Sequence, residues 1–367
     1  MFIAKLFRRG QNLGLQVPFI ALITTAVNCV SVAQTSDDAA LKEPEPIIAL
    51  IETYGLCSVS RDSVIEAAGL QVGDDLRETN MRQAIERIEA IPGVHKAAAA
   101  GIYGKLLKDE KLGLVLYLGI NEEGSRQLLF RRAPSGDDTL PVEIVDANDT
   151  EQRAFGIAAA KGQFGEDRLE GHSLAADPEL RAAQEQFIPL ANTHWDTLVD
   201  VLHNSRDATQ RAIAAKVIAY AKNKESVVQE LVPALHDPDA AVRNNSTRAL
   251  SVIFSYAKAH PDKAISPPAD LVRRLIDMLH SLEWTDRNKS TALLVSLDEN
   301  KLVLGEMSKK AVPCLVEMSR WQSAHGAMAF MLLGRLDDMT HDESRLVWQR
   351  GGQSSVIARL QGGAAKE

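Results

Sequence analysis

Nine histidines and three cysteines are the residues of this chain best suited to hold a metal or act as nucleophile. His203, His236 and His280 stand in register, each five residues after a leucine (Leu198, Leu231, Leu275) that opens an apolar stretch. A shared ion would have to sit about 2 Å from each ring nitrogen. Packed helices are spaced by about 10 Å, so these three imidazoles read as helix ends, where the helix dipole favours a proton. No His-Glu-x-x-His pair, cysteine cluster or glycine-rich phosphate loop occurs in the chain. Cys57 and Cys314 fall in separate expected domains and read as small buried hydrophobes. Gly171-His172-Ser173, with Asp177 nearby, groups a nucleophile, a base and an acid. It lacks the strand–turn–helix setting of a serine nucleophile, and Asp177-Pro178 reads as an N-cap followed by the first helical residue. The expectation is no catalytic residue, no metal and no cofactor.

The elements that carry these residues follow from the rest of the chain. It has 367 residues, 45% hydrophobic and 25% charged, with a net charge of −8. That length allows two cores, and the acidic balance disfavours nucleic acid and anionic lipid. Lys5, Arg8 and Arg9 precede a mostly apolar run from Leu13 to Ala33, with small residues at Ser31 and Ala33. This is the layout of a secretory signal peptide over residues 1–33. Its removal takes the net charge to −11. Residues 13–33 are also long enough to stay as an uncleaved anchor, the alternative route to a membrane. Cys29 follows Asn28, which does not suit lipid attachment. Residues 34–46 read as a polar linker.

Residues 47–124 read as a β-α-α-β-β module. Ile47–Tyr54 is a strand, Ser58 or Ser60 caps a helix through Val64 and Ile65, and Met81, Ile85, Ile88 and Ile91 share the face of a second helix. Pro92-Gly93 ends that helix, Ala97–Tyr103 is a weak strand, and Leu112 to Ile120 alternate as the clearest strand. The opening strand with Gly55, the Leu70-Gln71-Val72-Gly73-Asp74 turn, the Ile91-Pro92-Gly93-Val94 step and the last strand running into Glu122 together resemble a POTRA domain. The resemblance implies a docking module that adds client strands to a sheet edge. The single copy and the absence of a following barrel depart from the familiar pattern.

Residues 125–147 are expected to form a β-hairpin connector from strands Gln127–Arg132 and Leu140–Val145 about a Pro134-Ser135-Gly136-Asp137-Asp138 turn. Residues 148–194 read as a helical lead-in, with helices at Glu151–Lys161 and Glu179–Ala191 and an irregular polar stretch at 162–176.

From residue 195 to 362 the chain repeats itself. Arg243-Asn244-Asn245-Ser246-Thr247 returns 44 residues later as Arg287-Asn288-Lys289-Ser290-Thr291, and each copy begins 12 residues after Leu231 or Leu275. A weaker copy pairs Leu198 with Arg211, and a degenerate one runs from Val312 to Leu336. Ser344–Leu360 reads as a capping piece. Repeats of this length are stacked helix pairs. Leu231-Val232-Pro233-Ala234-Leu235, the His236-Asp237-Pro238-Asp239 turn and Val242-Arg243 resemble HEAT repeats. The resemblance implies a protein-binding solenoid of armadillo type, in which such an arginine ties successive loops together. Arg243 and Arg287 sit badly against a helix N-terminus, so they are expected to reach a turn carboxylate or carbonyl.

The fold class that results is an α+β N-terminal module followed by an all-α solenoid. The expected function is that of an exported, periplasmic or secreted, non-enzymatic scaffold for protein partners. Its contact residues are expected on a concave face lined by second helices: Asn244, Arg248, Asn288 and Ser290. The competing expectation is an envelope enzyme or enzyme-regulating subunit with its site in residues 149–190.

Overall fold

A computed structural model describes residues 46–106, 112–168 and 170–363. The expected signal peptide and almost all of the expected linker lie outside the described residues.

The N-terminal module follows the expected order: β1 (Ile48–Tyr54), α1 (Arg61–Ala68), α2 (Met81–Glu89), β2 (Val94–Leu106) and β3 (Leu112–Glu122). Ser60 caps α1 and Asn80 caps α2 by accepting the N–H groups of Ser63 and Gln83. The sheet order is β1-β3-β2, with β1 parallel and β2 antiparallel to β3. A parallel pair needs a crossover, which α1 and α2 supply. Val64, Ala84 and Ile88 from the helices pack against Ile51, Leu116 and Leu118. Val115 and Tyr117 are also fully buried, but they belong to the core of the helical half. Central strand β3 is therefore covered on both faces, which explains its near-continuous apolar sequence. Gly119 is required there, because a Cβ would lie 2.5 Å from the Tyr54 hydroxyl.

The segment after β3 departs from expectation. No hairpin forms over residues 125–147. Residues 125–140 run instead as an extended strap along the turns of the helical repeats, and Val142–Ala160 is one helix, α3. The strap's backbone bonds to the repeats rather than to itself. Arg131 N–H donates to His236 O at 2.7 Å, Leu129 O accepts Arg274 Nη1 at 2.8 Å, and Gly136 N–H donates to Asn204 O at 2.8 Å. The apolar run Leu140–Val145 enters a helix rather than a strand, placing Ile144 and Ala147 in the main core.

After α3, a two-residue strand β4 (Glu166–Asp167) pairs with β5 (Leu174–Ala175) within the stretch expected to be irregular. Helices α4 (Pro178–Glu185) and α5 (Phe187–Thr193) then lead to the stacked pairs. Asp177 caps α4 as expected, accepting the N–H groups of Glu179 and Leu180. The pairs are α6 (Trp195–Asn204) with α7 (Ala208–Val217), α8 (Lys224–Ala234) with α9 (Ala240–Ala259), and α10 (Ala269–Met278) with α11 (Trp284–Leu297). The degenerate fourth unit comprises α12 (Lys301–Lys310), α13 (Val312–Ser319) and α14 (Gly326–Leu336). The expected capping piece is two helices, α15 (His341–Gln349) and α16 (Gln353–Gly363).

The repeated arginines join these units. Each donates to a carbonyl six residues upstream and to a carboxylate in the next unit. Arg211 reaches Ser205 O and, through two bonds of 2.9 Å, Asp237. Arg243 reaches Asp237 O and Asp286, the latter at 2.8–3.1 Å. Arg287 reaches Ser281 O and, at 2.9 Å, Glu317. All three guanidinium groups are buried, as are Asp237 and Asp286.

Candidate functional site

Two places in this fold stand apart from its ordinary surface. The first is the contrast between the two sheet edges. The outer side of β1 is closed. Ile48 exchanges backbone bonds with the 73–74 turn, Arg61 Nη2 donates to Ile51 O at 2.8 Å, and Trp321 Nε1 donates to Thr53 O at 3.3 Å. Two turns of the helical repeats also clamp this strand: the α13–α14 junction, where Glu52 accepts Gln322 N–H at 2.5 Å, and the α10–α11 turn, where Leu282 O accepts the Tyr54 hydroxyl at 2.7 Å. Tyr117 is held between Trp284 and Trp321, with its hydroxyl 2.6 Å from both Ser323 Oγ and His325 Nδ1. Burial pushes both tyrosine hydroxyls far above the usual range, so they serve as neutral hydrogen-bonding groups.

The outer side of β2 is open: no strand pairs with it among the described residues. Ala97 N–H points outward, where it meets Glu89 Oε1 at 3.1 Å. Alternation along the strand turns the N–H groups of Ala99 and Gly101 the same way. The small side chains Ala97–Gly101 leave that backbone approachable.

The second place is a cleft of about 360 Å³ between the lead-in segment and the second helices α7, α9 and α11. Its lead-in wall carries Glu151, Glu166 and His172, and its repeat wall carries Lys216, Arg248 and Lys289. Most of these charges are answered locally. Lys216 Nζ is 2.9 Å from both Glu151 Oε2 and Asn148 Oδ1. Glu166 accepts Arg248 Nη2 at 2.5 Å and also binds Arg168. Burial opposes the Glu166 charge, but Arg248 and Arg168 outweigh it and hold the carboxyl down at about 2. His172 leans on Tyr220 with ring centroids 5.1 Å apart, and burial followed by the Lys224 charge lowers its pKa to about 4.

Lys289 is the exception. It is 9% exposed and has no hydrogen-bond or ion-pair partner among the described residues. Burial, reinforced by the Arg248 charge, lowers its ammonium pKa to about 7. Two further residues lining the cleft carry unanswered groups: the buried Asn244 Oδ1 and Ser173 Oγ have no hydrogen-bond partner among the described residues.

Of the expected contact residues, Asn244 and Arg248 line this cleft. Asn288 and Ser290, 1% and 0% exposed, are enclosed and so correct the expected contact surface. The expected concave face is covered by the lead-in segment, and an α11 residue that faces inward at one position packs into the stack at the next. Lys289 was missed by sequence reasoning although a signal for it exists. It replaces Asn245 of the preceding copy, whose Nδ2 bonds to Ala212 O at 2.9 Å. The register histidines diverge in surroundings: His203 meets Glu230 at 2.7 Å, and His280 lies 3.3 Å from Cys314 Sγ. Among the described residues no three metal-ligating side chains converge.

A family model described as HEAT repeats matches residues 195–280, the interval from the start of α6 through α10. No curated protein matches the chain.

Proposed function

We propose that this chain is an exported, non-enzymatic adaptor that holds a protein partner through the open β2 edge and the adjoining solenoid surface. The HEAT-repeat match supports the interaction role, since such repeats mediate protein contacts. The POTRA-like reading of residues 47–124 is part of the proposal, supported by the β-α-α-β-β order and a mixed sheet in which β2 is the edge strand among the described residues. The observation that carries it is the asymmetry of the sheet. One edge is closed by three kinds of contact, and on the other the 13-residue β2 has no second strand paired to its outer side among the described residues. An incoming extended segment would gain main-chain hydrogen bonds there with little side-chain obstruction.

The test uses a photo-crosslinking residue at Lys96 in the envelope of the native host. A defined adduct is expected with the unchanged strand and with Ala99→Val. Ala99→Pro removes one outward N–H but leaves the inner ladder, because proline is tolerated on an edge. Loss of the adduct in the proline variant supports strand addition; persistence of the same adduct rejects it.

A second reading, an envelope enzyme or enzyme-regulating subunit with its site in residues 149–190, is favoured by the cleft that this segment walls on one side. Hydrolase activity of the purified protein that disappears in His172→Ala would favour that reading over the adaptor.

A further inference from the structure

We infer that the cleft beneath the lead-in segment binds a small carboxylate with an apolar body and an N–H or O–H donor, using Lys289 as counter-ion.

The charge arrangement determines the sign of the ligand. Three cations, Lys216, Arg248 and Lys289, line the cleft against two carboxylates, Glu151 and Glu166. Both carboxylates are already occupied, Glu151 by Lys216 and Glu166 by Arg248 and Arg168. Lys289 is left as a desolvated amine with no acceptor for its protons among the described residues. Leaving a buried ammonium unpaired is costly, and a single negative charge in the cleft removes that cost. A dianion would add surplus negative charge beside Glu166, so a monoanion fits better.

The neutral groups determine the rest. Asn244 Nδ2 donates to Asn245 Oδ1 at 3.3 Å, which leaves Asn244 Oδ1 as an unsatisfied acceptor. It needs an N–H or O–H donor on the ligand. Ser173 Oγ can donate to a carboxylate oxygen or accept from the same donor. Phe155, Phe164, Leu180 and Val252 supply apolar wall. The volume lies in the range of small-molecule sites. N-acyl amino acids and 2-hydroxy acids with apolar side chains meet all of these requirements.

Binding is linked to protonation. The charged and titratable groups around Lys289 are Arg248 on α9, Glu166 on β4, Arg168 in the following loop, and His325 just before α14. His325 is lowered to about 4, by burial and then by Lys289, and Glu166 is held at about 2. Neither changes charge near neutral pH, whereas Lys289 does. Lys224, lowered to about 8 by burial, stands beside His172.

The experiment is calorimetric titration of the full chain with N-acetyl-L-leucine in buffers of different ionisation enthalpy. At about pH 8.5 the ligand is expected to bind with uptake of most of one proton, and uptake should fall towards zero at about pH 6. Lys289→Met should weaken binding at least about tenfold. Lys289→Arg should keep binding and lose most of the uptake, which separates Lys289 from Lys224 and guards against misfolding of the methionine variant. Asn244→Ala should weaken binding several-fold. The inference is overturned by any of four results: unchanged affinity in Lys289→Met, equal binding of neutral N-acetyl-L-leucinamide, tighter binding of inorganic phosphate, or no binding at about 10 mM ligand.

Discussion

Along the turns of the solenoid, Arg211, Arg243 and Arg287 each finish against a carboxylate of the next unit; in the cleft, Lys289 finishes against none among the described residues. Both sets of cations are buried, and they stem from the same repeated helix. Arg287 and Lys289 are two residues apart on α11, about 200° around its axis, so one faces the turns and the other the lead-in segment. The difference is one of geometry as well as charge. A guanidinium offers a fixed fork that can bind a carbonyl and a carboxylate together, so it suits a permanent joint between units. An ammonium is a compact charge whose pKa yields to burial, so it suits a place where charge is needed only when something arrives. Buried charge that is answered within the chain is architecture, and buried charge that is not marks a site.

The strongest break of this contrast is Asp286→Ala, which strands Arg243 with its carbonyl contacts alone. Stability should fall by about 3–5 kcal/mol, the usual consequence of leaving a buried charge uncompensated. Denaturant unfolding followed by helical circular dichroism measures it.

Lys289→Met should act in the opposite direction. Removing an unanswered buried charge should stabilise the chain by about 1–3 kcal/mol at neutral pH. The Lys289 pKa is lowered in the folded chain, so the penalty is full below about 7 and fades as pH rises towards the ordinary lysine value of 10.5. The difference between variant and parent in denaturation midpoint should therefore shrink over that interval. A difference that is independent of pH would remove the distinction drawn between the two regions.

Glu122 extends the comparison to the N-terminal module. Its carboxylate accepts the N–H groups of Cys57, Ser58 and Val59 and the Ser58 hydroxyl. Burial opposes the charge, but these donors prevail and hold the group at about 2. Its contribution is present above the ordinary value of about 4.5 and is lost as pH falls through 2. Glu122→Gln should cost about 1–2 kcal/mol at pH 7, with parent and variant converging in acid unfolding curves. The smallest effect belongs to Arg126→Ala. The exposed Arg126–Asp277 pair, at 2.6 Å, ties the strap to α10, yet its loss should change the unfolding midpoint by no more than about 0.5 kcal/mol.

Much of the layout was legible in advance. Strand β3 was visible in Leu112–Ile120, and α7, α9 and α11 in the spacing of Leu198, Leu231 and Leu275 from their arginines. These features are local: apolar periodicity and capping residues act within a few turns of chain. The strap was misread because Gln127–Arg132 and Leu140–Val145 have the composition of strands. Every backbone donor and acceptor must find a partner, but composition does not say which: the first run found His236 and Arg274, and the second entered helix α3. The candidate site was half legible. Asn244 and Arg248 reach the cleft, whereas Asn288 and Ser290 are enclosed by neighbouring elements.

The amino-acid sequence alone determined the kinds of element, their order, and the repetition that makes helix pairs stack, because side-chain period and turn chemistry are properties of short stretches. Tertiary structure decided which carboxylate each arginine meets, 26, 43 and 30 residues away, which sheet edge stays open, and which amine is left alone. Those outcomes depend on what the stack brings next to each side chain, and distance along the chain carries no record of it.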